Sequence, residues 1–378
     1  MSGIYIHVPF CKKACHYCDF HFSTSLKYKS EMIAGLLHEI ALQKNYLGEE
    51  EIATIYFGGG TPSLLEVEEI EKILAQIHQY FPVRSDAEIT LEANPDDLNA
   101  AKVSALRNSP INRFSIGIQS FFEEDLRWMN RSHTASEAES SIKRVQDAGF
   151  ENITADLIYG YPLLSDKKWQ HNIQLMTALA VTHLSCYAMT VEQGTALHHF
   201  IQRGKQIPIN ESQSAEQFVQ LMDELAKAGF THYEISNFAR PGKESQHNAN
   251  YWKGRTYLGI GPSAHSFNGH SRQWNVANNS KYLSEIFEKR IPATSETLTA
   301  NNRFNEYIMA SLRTIWGVDE QKIKLDFGED YLEKLKNKSA DFKDKNWIRS
   351  DNEKLYLTQE GKLFADHIAS ELFIIDDE

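Results

Sequence analysis

The chain has 378 residues, 42% of them hydrophobic and 24% charged, enough for one large globular domain and a smaller one. Its formal net charge of -12 excludes a general electrostatic attraction to nucleic acid or anionic lipid. No secretory leader and no run of about 18 apolar residues is present, so no transmembrane segment is expected; the chain reads as cytoplasmic, with peripheral contact at a membrane left open.

In chain order, short β-type runs alternate with helical patterns from Ile4 to about Glu234. Strands are predicted at 4–8, 54–57, 88–91, 113–118, 152–158, 183–188 and 233–236, with helices such as 29–44, 66–81, 135–148 and 214–228 between them. Gly149 and Gly229 follow two of those helices, as helix ends commonly require. This alternation predicts a parallel α/β sheet, open or closed into a barrel, whose chemistry gathers where the strands end. His7, Gly58, Glu92, Gln119 and Asp156 all fall at or just past predicted strand ends. The stretch from Asn237 to about Pro292 is rich in Asn, Gly, His and aromatics and reads as loop. After Thr299 the pattern changes to helices at 301–316 and 331–336, a hairpin of 347–349 with 354–357, and a last helix from about 358 to 372. The expected division is therefore a barrel over 1–236, a loop-rich extension over 237–298 and a small winged-helix-like domain over 299–378. Such small domains commonly bind nucleic acid, but the acidic balance points to packing or partner docking instead.

The residues that carry chemistry begin at Cys11, Cys15 and Cys18, three of the four cysteines in one C-x3-C-x2-C loop. A disulfide framework spreads its cysteines to join distant loops; thiols packed this closely read as metal ligands. Four thiolates fill a 4Fe–4S cube, so three leave one iron open to another ligand. The competing reading is a zinc site closed by His16 or His21. Gly58-Gly59-Gly60-Thr61-Pro62 follows a predicted strand and lets the backbone approach a ligand, but it lacks the Lys-Ser/Thr of a nucleotide-binding P-loop. Glu92, Gln119, Arg131 and Asp156 are polar residues near strand ends; each alone is as well explained by capping or a surface ion pair. Cys186 lies in an apolar run and reads as core.

The run Tyr5-Ile6-His7-Val8-Pro9-Phe10-Cys11 through Cys18 resembles the start of the radical S-adenosylmethionine (SAM) superfamily, in particular its coproporphyrinogen dehydrogenase-like branch, and the likeness extends along nearly the whole chain. The resemblance implies an α/β fold: a partial (β/α)6 barrel followed by a small C-terminal α+β winged-helix-like domain. It implies a 4Fe–4S cluster on Cys11, Cys15 and Cys18, with SAM chelating the open iron and one-electron cleavage to methionine and a 5′-deoxyadenosyl radical. It implies SAM contacts from Gly59, Gly60, Thr61, Glu92, Gln119 and Asp156, a carboxylate fork from Arg131, and a place beside SAM for Tyr5.

Two departures mark a subgroup. Phe20 stands where the porphyrinogen-oxidising members carry a further cysteine, and His247-Asn248-Ala249-Asn250-Tyr251-Trp252 forms an H-N-x-x-Y-W run. Both resemble the heme-chaperone members of the branch. The resemblance implies heme binding with His247 as iron ligand and Tyr251 and Trp252 against the porphyrin. It also implies apo-hemoprotein acceptors and a one-electron reductant such as flavodoxin or ferredoxin. The alternative is an oxygen-independent coproporphyrinogen III dehydrogenase. A cysteine at position 20 and an extension ahead of the cysteine loop would favour that enzyme.

Overall fold

The computed structural model describes residues 1–375. Six parallel strands run in chain order: β1 (Ser2–Val8), β2 (Ile52–Gly59), β3 (Val83–Ala93), β4 (Arg113–Gln119), β5 (Ile153–Tyr159) and β6 (His183–Ala188). β1 and β2 are largely apolar runs, as strands buried within a parallel sheet tend to be. In β1 every residue but Tyr5 is buried, as a parallel strand in an α/β layer demands. The helices are fixed at their ends by local chemistry. Ala135–Asp147, for example, opens on a reciprocal cap: Thr134 Oγ1 accepts from the Glu137 amide at 3.3 Å, and the Glu137 carboxylate accepts from the Thr134 amide at 2.7 Å.

The expected strand at 233–236 is instead a tight antiparallel hairpin of β7 (Thr231–Glu234) and β8 (Asn237–Ala239), with Ile235 and Ser236 at the bend. The segment expected to be loop-rich is largely ordered. It contains β9 (Tyr257–Ile260), β10 (His265–Phe267), β11 (Ser271–Asn275) and β12 (Ala293–Thr297), with helices Gln246–Trp252 and Asn279–Phe287. β9 pairs parallel to β1, and β10 to β12 continue antiparallel beyond it. Among the described residues, twelve strands thus form one sheet ordered β12-β11-β10-β9-β1-β2-β3-β4-β5-β6-β8-β7.

The C-terminal part forms a second apolar core from Phe304 to Ile374. There β13 (Val318–Asp319), β14 (Ile348–Asp351) and β15 (Lys354–Leu357) make a three-stranded antiparallel sheet against helices. Asn352 and Glu353 turn the β14–β15 hairpin, both at positive φ, as a two-residue hairpin turn requires.

Candidate functional site

The cysteine loop leaves the C-terminal end of β1 and is stitched to its own return strand: the Cys11 amide donates to Ser23 O at 3.0 Å, and the Ser23 amide to Pro9 O at 2.9 Å. Cys11, Cys15 and Cys18 are free, half-buried thiols on the wall of a chamber of about 1200 Å³. The same chamber is lined by Gly59, Gly60, Thr61, Glu92, Gln119, Arg131 and Asp156, so strand ends β2 to β5 bring these residues together with the thiols. The Thr61 hydroxyl donates to Cys11 Sγ at 3.5 Å and the Arg131 guanidinium to Cys15 Sγ at 3.3 Å. Burial pushes the Cys11 thiol up and the Cys18 thiol to about 12, and neighbouring thiols add to both. Metal loading therefore has to displace protons here. Among the described residues, no three His, Cys, Asp or Glu side chains converge on a single-ion point.

Two carboxylates, Glu92 and Asp156, line the chamber with the thiols. Burial raises Glu92 to about 7, with the charge of Asp156 adding to it, and raises Asp156 to about 7 against the pull of Ser185 and Arg131. Tyr56 OH donates to Glu92 Oε1 at 2.8 Å. Arg131 is anchored by Asn94 Oδ1 at 2.7 Å and Gly117 O at 2.9 Å, while its Nε is buried without a partner. Gln119 adopts φ 66 where the β4–β5 register slips, and its Oε1 is also buried and unpartnered. A bulge next to a site re-aims a side chain, and here two orphaned polar atoms border one chamber. Such a site can take a ligand with amino, carboxylate and hydroxyl groups.

Two expected contacts fall elsewhere. Tyr5 lines a second cavity rather than the chamber; its ring stacks near Tyr56 and His247, with centroids 6.1 and 6.4 Å away. His247 is only 2% exposed. Its Nδ1 meets Thr54 Oγ1 at 2.8 Å and its Nε2 meets Tyr251 OH at 2.8 Å. Burial lowers its pKa to about 3. Both ring nitrogens are thus met by hydroxyls, one from β2 and one from the residue's own helix. Tyr251 and Trp252 do reach the second cavity. Cys186 is buried at 1% exposure.

The comparisons agree with this geometry. The family model described as Radical SAM superfamily matches residues 5–176, and the HemN C-terminal domain model matches 298–364. A relative named Heme chaperone HemW from Bacillus subtilis is 33% identical over 371 residues, spanning 97% of this chain and 98% of that one. The chain belongs to the radical SAM HemW family. The similarly named Escherichia coli protein is 36% identical over 268 residues, 70% of this chain and 69% of its own. In fold, the chain is similar to the Escherichia coli coproporphyrinogen III oxidase HemN, a radical SAM enzyme: TM-score 0.85 at 21% identity, covering 98% of this chain and 89% of that one. Membership in the HemW family implies a 4Fe–4S cluster and SAM, and the donor set of the chamber fits both. No described helix is long and apolar enough to cross a membrane.

The sequence did not point to the C-terminal contribution. Arg313, Lys362 and His367 also line the chamber, brought there because Lys362 Nζ meets His232 Nδ1 at 2.9 Å and the Arg313 guanidinium pairs with Glu234 at 3.3 Å. No local motif marks them, since the contact is made across two separately packed cores.

Proposed function

We propose that this protein is a heme chaperone that binds heme and passes it to apo-hemoproteins, and that it holds a 4Fe–4S cluster on Cys11, Cys15 and Cys18 with SAM at the open iron. The observation that carries this reading is the full-length likeness to relatives named heme chaperones. The half-buried thiols beside two hard-to-ionise carboxylates support its cofactor part. In this reading Glu92 and Asp156 accept hydrogen bonds from the amino and ribose groups of SAM, Arg131 turns its unpartnered Nε toward the carboxylate, and Gly59, Gly60 and Thr61 line the approach. Gln119 completes the lining. The bound cluster and SAM supply one-electron chemistry, fed by a small donor such as flavodoxin or ferredoxin. The protein works in the cytoplasm, on heme and apo-hemoprotein partners rather than nucleic acid.

Anaerobic cluster reconstitution, followed by hemin titration and a coproporphyrinogen III turnover assay on the same sample, tests the proposal. Saturable hemin binding with no decarboxylation is expected. Repeated turnover of coproporphyrinogen III would replace the chaperone by a dehydrogenase.

A further inference from the structure

The segment that follows β6 packs on the cysteine loop. The Leu197 amide donates to His16 O at 2.7 Å, and the His16 ring meets Phe200 edge-on with centroids 5.0 Å apart. His16 Nδ1 lies 2.8 Å from Trp128 O, and the Trp128 indole N–H donates to Gln206 Oε1 at 2.7 Å. Helix Ala196–Gln202 and the turn after it are therefore held against the loop that carries the three thiols.

This part of the surface carries uncompensated positive charge. From Gln193 to Asn210 the sequence has Arg203 and Lys205 but no acidic residue, in a chain of formal net charge -12. Lys13, Arg203 and Lys205 are exposed and carry no ion pair among the described residues; the Lys13 ammonium reaches the Arg131 carbonyl at 3.5 Å. The other cations nearby are already paired, Lys12 with Asp96 at 2.7 Å and with Asp97, and Arg127 with Glu123 at 3.2 Å. Apolar surface lies among the free charges. Ile207 is 71% exposed, and exposed Ala14 stands in the chain between Lys13 and Cys15. Apolar surface rimmed by charge is how interfaces are built, and electron-transfer encounters need less than about 1,200 Å² of it.

We propose that a small acidic flavoprotein docks on this face, against Lys13, Arg203, Lys205 and Ile207, and delivers one electron to the cluster past the exposed loop edge at Ala14. The proposal rests on the cluster part of the reading above and adds the surface through which the cluster is fed. The partner's anionic flavin hydroquinone gives up one electron and becomes the neutral semiquinone. The oxidised cluster takes that electron, and no bond or proton changes hands. The dimethylbenzene edge of a flavin is apolar and suits Ile207 and Ala14, while carboxylates around it suit the three cations. The net negative charge of the chain repels an acidic partner elsewhere, so this patch also orients its approach.

Stopped-flow reduction of the reconstituted, full-length protein by flavodoxin hydroquinone tests this, with a photogenerated deazaflavin radical as a small uncharged donor. Arg203→Glu/Lys205→Glu is expected to slow reduction by flavodoxin about tenfold at low salt and to flatten its dependence on ionic strength. Reduction by deazaflavin, iron content and SAM affinity should stay normal. Lys72→Glu/Lys334→Glu makes the same change in net charge at exposed sites on helices Val67–Tyr80 and Glu329–Asp344, and it should reduce at the wild-type rate. A wild-type rate in Arg203→Glu/Lys205→Glu, or an equal loss in both double variants, overturns the proposal. So does a wild-type cluster that deazaflavin reduces and flavodoxin does not, an outcome that leaves the cluster assignment standing. A wild-type protein that retains no iron on reconstitution overturns both.

Discussion

A carboxylate taken out of water keeps its proton until a cation or a set of donors arrives, and Glu92 and Asp156 are held this way at the chamber wall. The consequence for stability has a definite sign. Unfolded, Glu92 titrates near 4.5 and folded near 7; between those values the unfolded chain releases a proton that the folded chain keeps. Stability of the cofactor-free protein therefore falls as pH rises through that window, and the loss is complete above it. Glu92→Gln should remove its part of the slope and stabilise the apo-protein at pH 8 by about 1–2 kcal/mol relative to wild type. Urea midpoints at pH 5 and pH 8 measure this, and parallel pH slopes in the two proteins would refute it. The same charge is what the ligand uses. Glu92→Ala and Asp156→Ala should each weaken SAM binding by about 1.5–3 kcal/mol without loss of iron, so calorimetry showing wild-type affinity in both variants would sink the assigned roles. His247 shows how a buried residue can read as surface in the sequence. Its neighbours Gln246 and Asn248 are polar, so the segment reads as surface, yet Thr54 and Tyr251 satisfy both ring nitrogens and Glu88 accepts its amide at 3.1 Å. A polar group so supplied can be buried, and Thr54 and Glu88 lie too far away in sequence to be seen as its partners.

At the scale of elements, the cysteine loop and the glycine turn after β2 are built as one piece. A Cβ on Gly60 would lie 2.6 Å from Phe10 O and 2.8 Å from Phe10 N, and one on Gly59, at φ 107, would meet the His7 ring at 2.6 Å. Gly60 is thus demanded by the backbone that passes just ahead of Cys11, and Gly59 by its own positive φ and the His7 ring. Gly60→Ala should push the loop outward, cost about 1–3 kcal/mol and lower the iron retained after reconstitution. Iron content equal to wild type in a folded Gly60→Ala protein would show that the loop tolerates the shift. This unit was legible in sequence because a cysteine spacing and a glycine run are local signals. The six barrel strands were legible for the same reason, as apolar runs between helical patterns. The β7–β8 hairpin was misread as one strand because its two halves are only four and three residues long, too short for periodicity to separate. β9 to β12 were read as loop because the Asn, Gly and His content of the segment around them suits turns. Their order comes from pairing beside β1 and from one another, which is a tertiary effect.

Across the whole molecule, one core spans the barrel and a second the C-terminal domain, and the seam between them runs along β7. The Ile235 amide donates to Arg313 O at 3.0 Å, and the Ile315 amide to Tyr233 O at 3.0 Å. The Arg313 guanidinium pairs with Glu234 at 3.3 Å and with Asp366, and lies 5.6 Å from the Trp252 ring centroid. Glu234 is 2% exposed; burial raises its pKa while Arg313 pulls it down. Removing the guanidinium leaves that carboxylate with Asn237 Nδ2 at 2.6 Å and the Ser236 amide at 3.1 Å, but with no counter-charge. Arg313→Ala should therefore destabilise the seam by about 2 kcal/mol at neutral pH. Without Arg313 the folded-state pKa of Glu234 rises further. A raised carboxyl pKa takes stability away as pH climbs from its unfolded value through its folded one, so the deficit of the variant should grow with pH and shrink in acid, where Glu234 is protonated in both states. Hydrogen exchange should quicken along Thr231–Ala239 and around Ile315. Because Arg313, Lys362 and His367 close one side of the chamber, a loosened seam should also admit oxygen, and the reconstituted cluster of Arg313→Ala should bleach faster in air than that of wild type. Wild-type exchange at β7 together with an unchanged bleaching rate would mean that the two cores hold together without this ion pair.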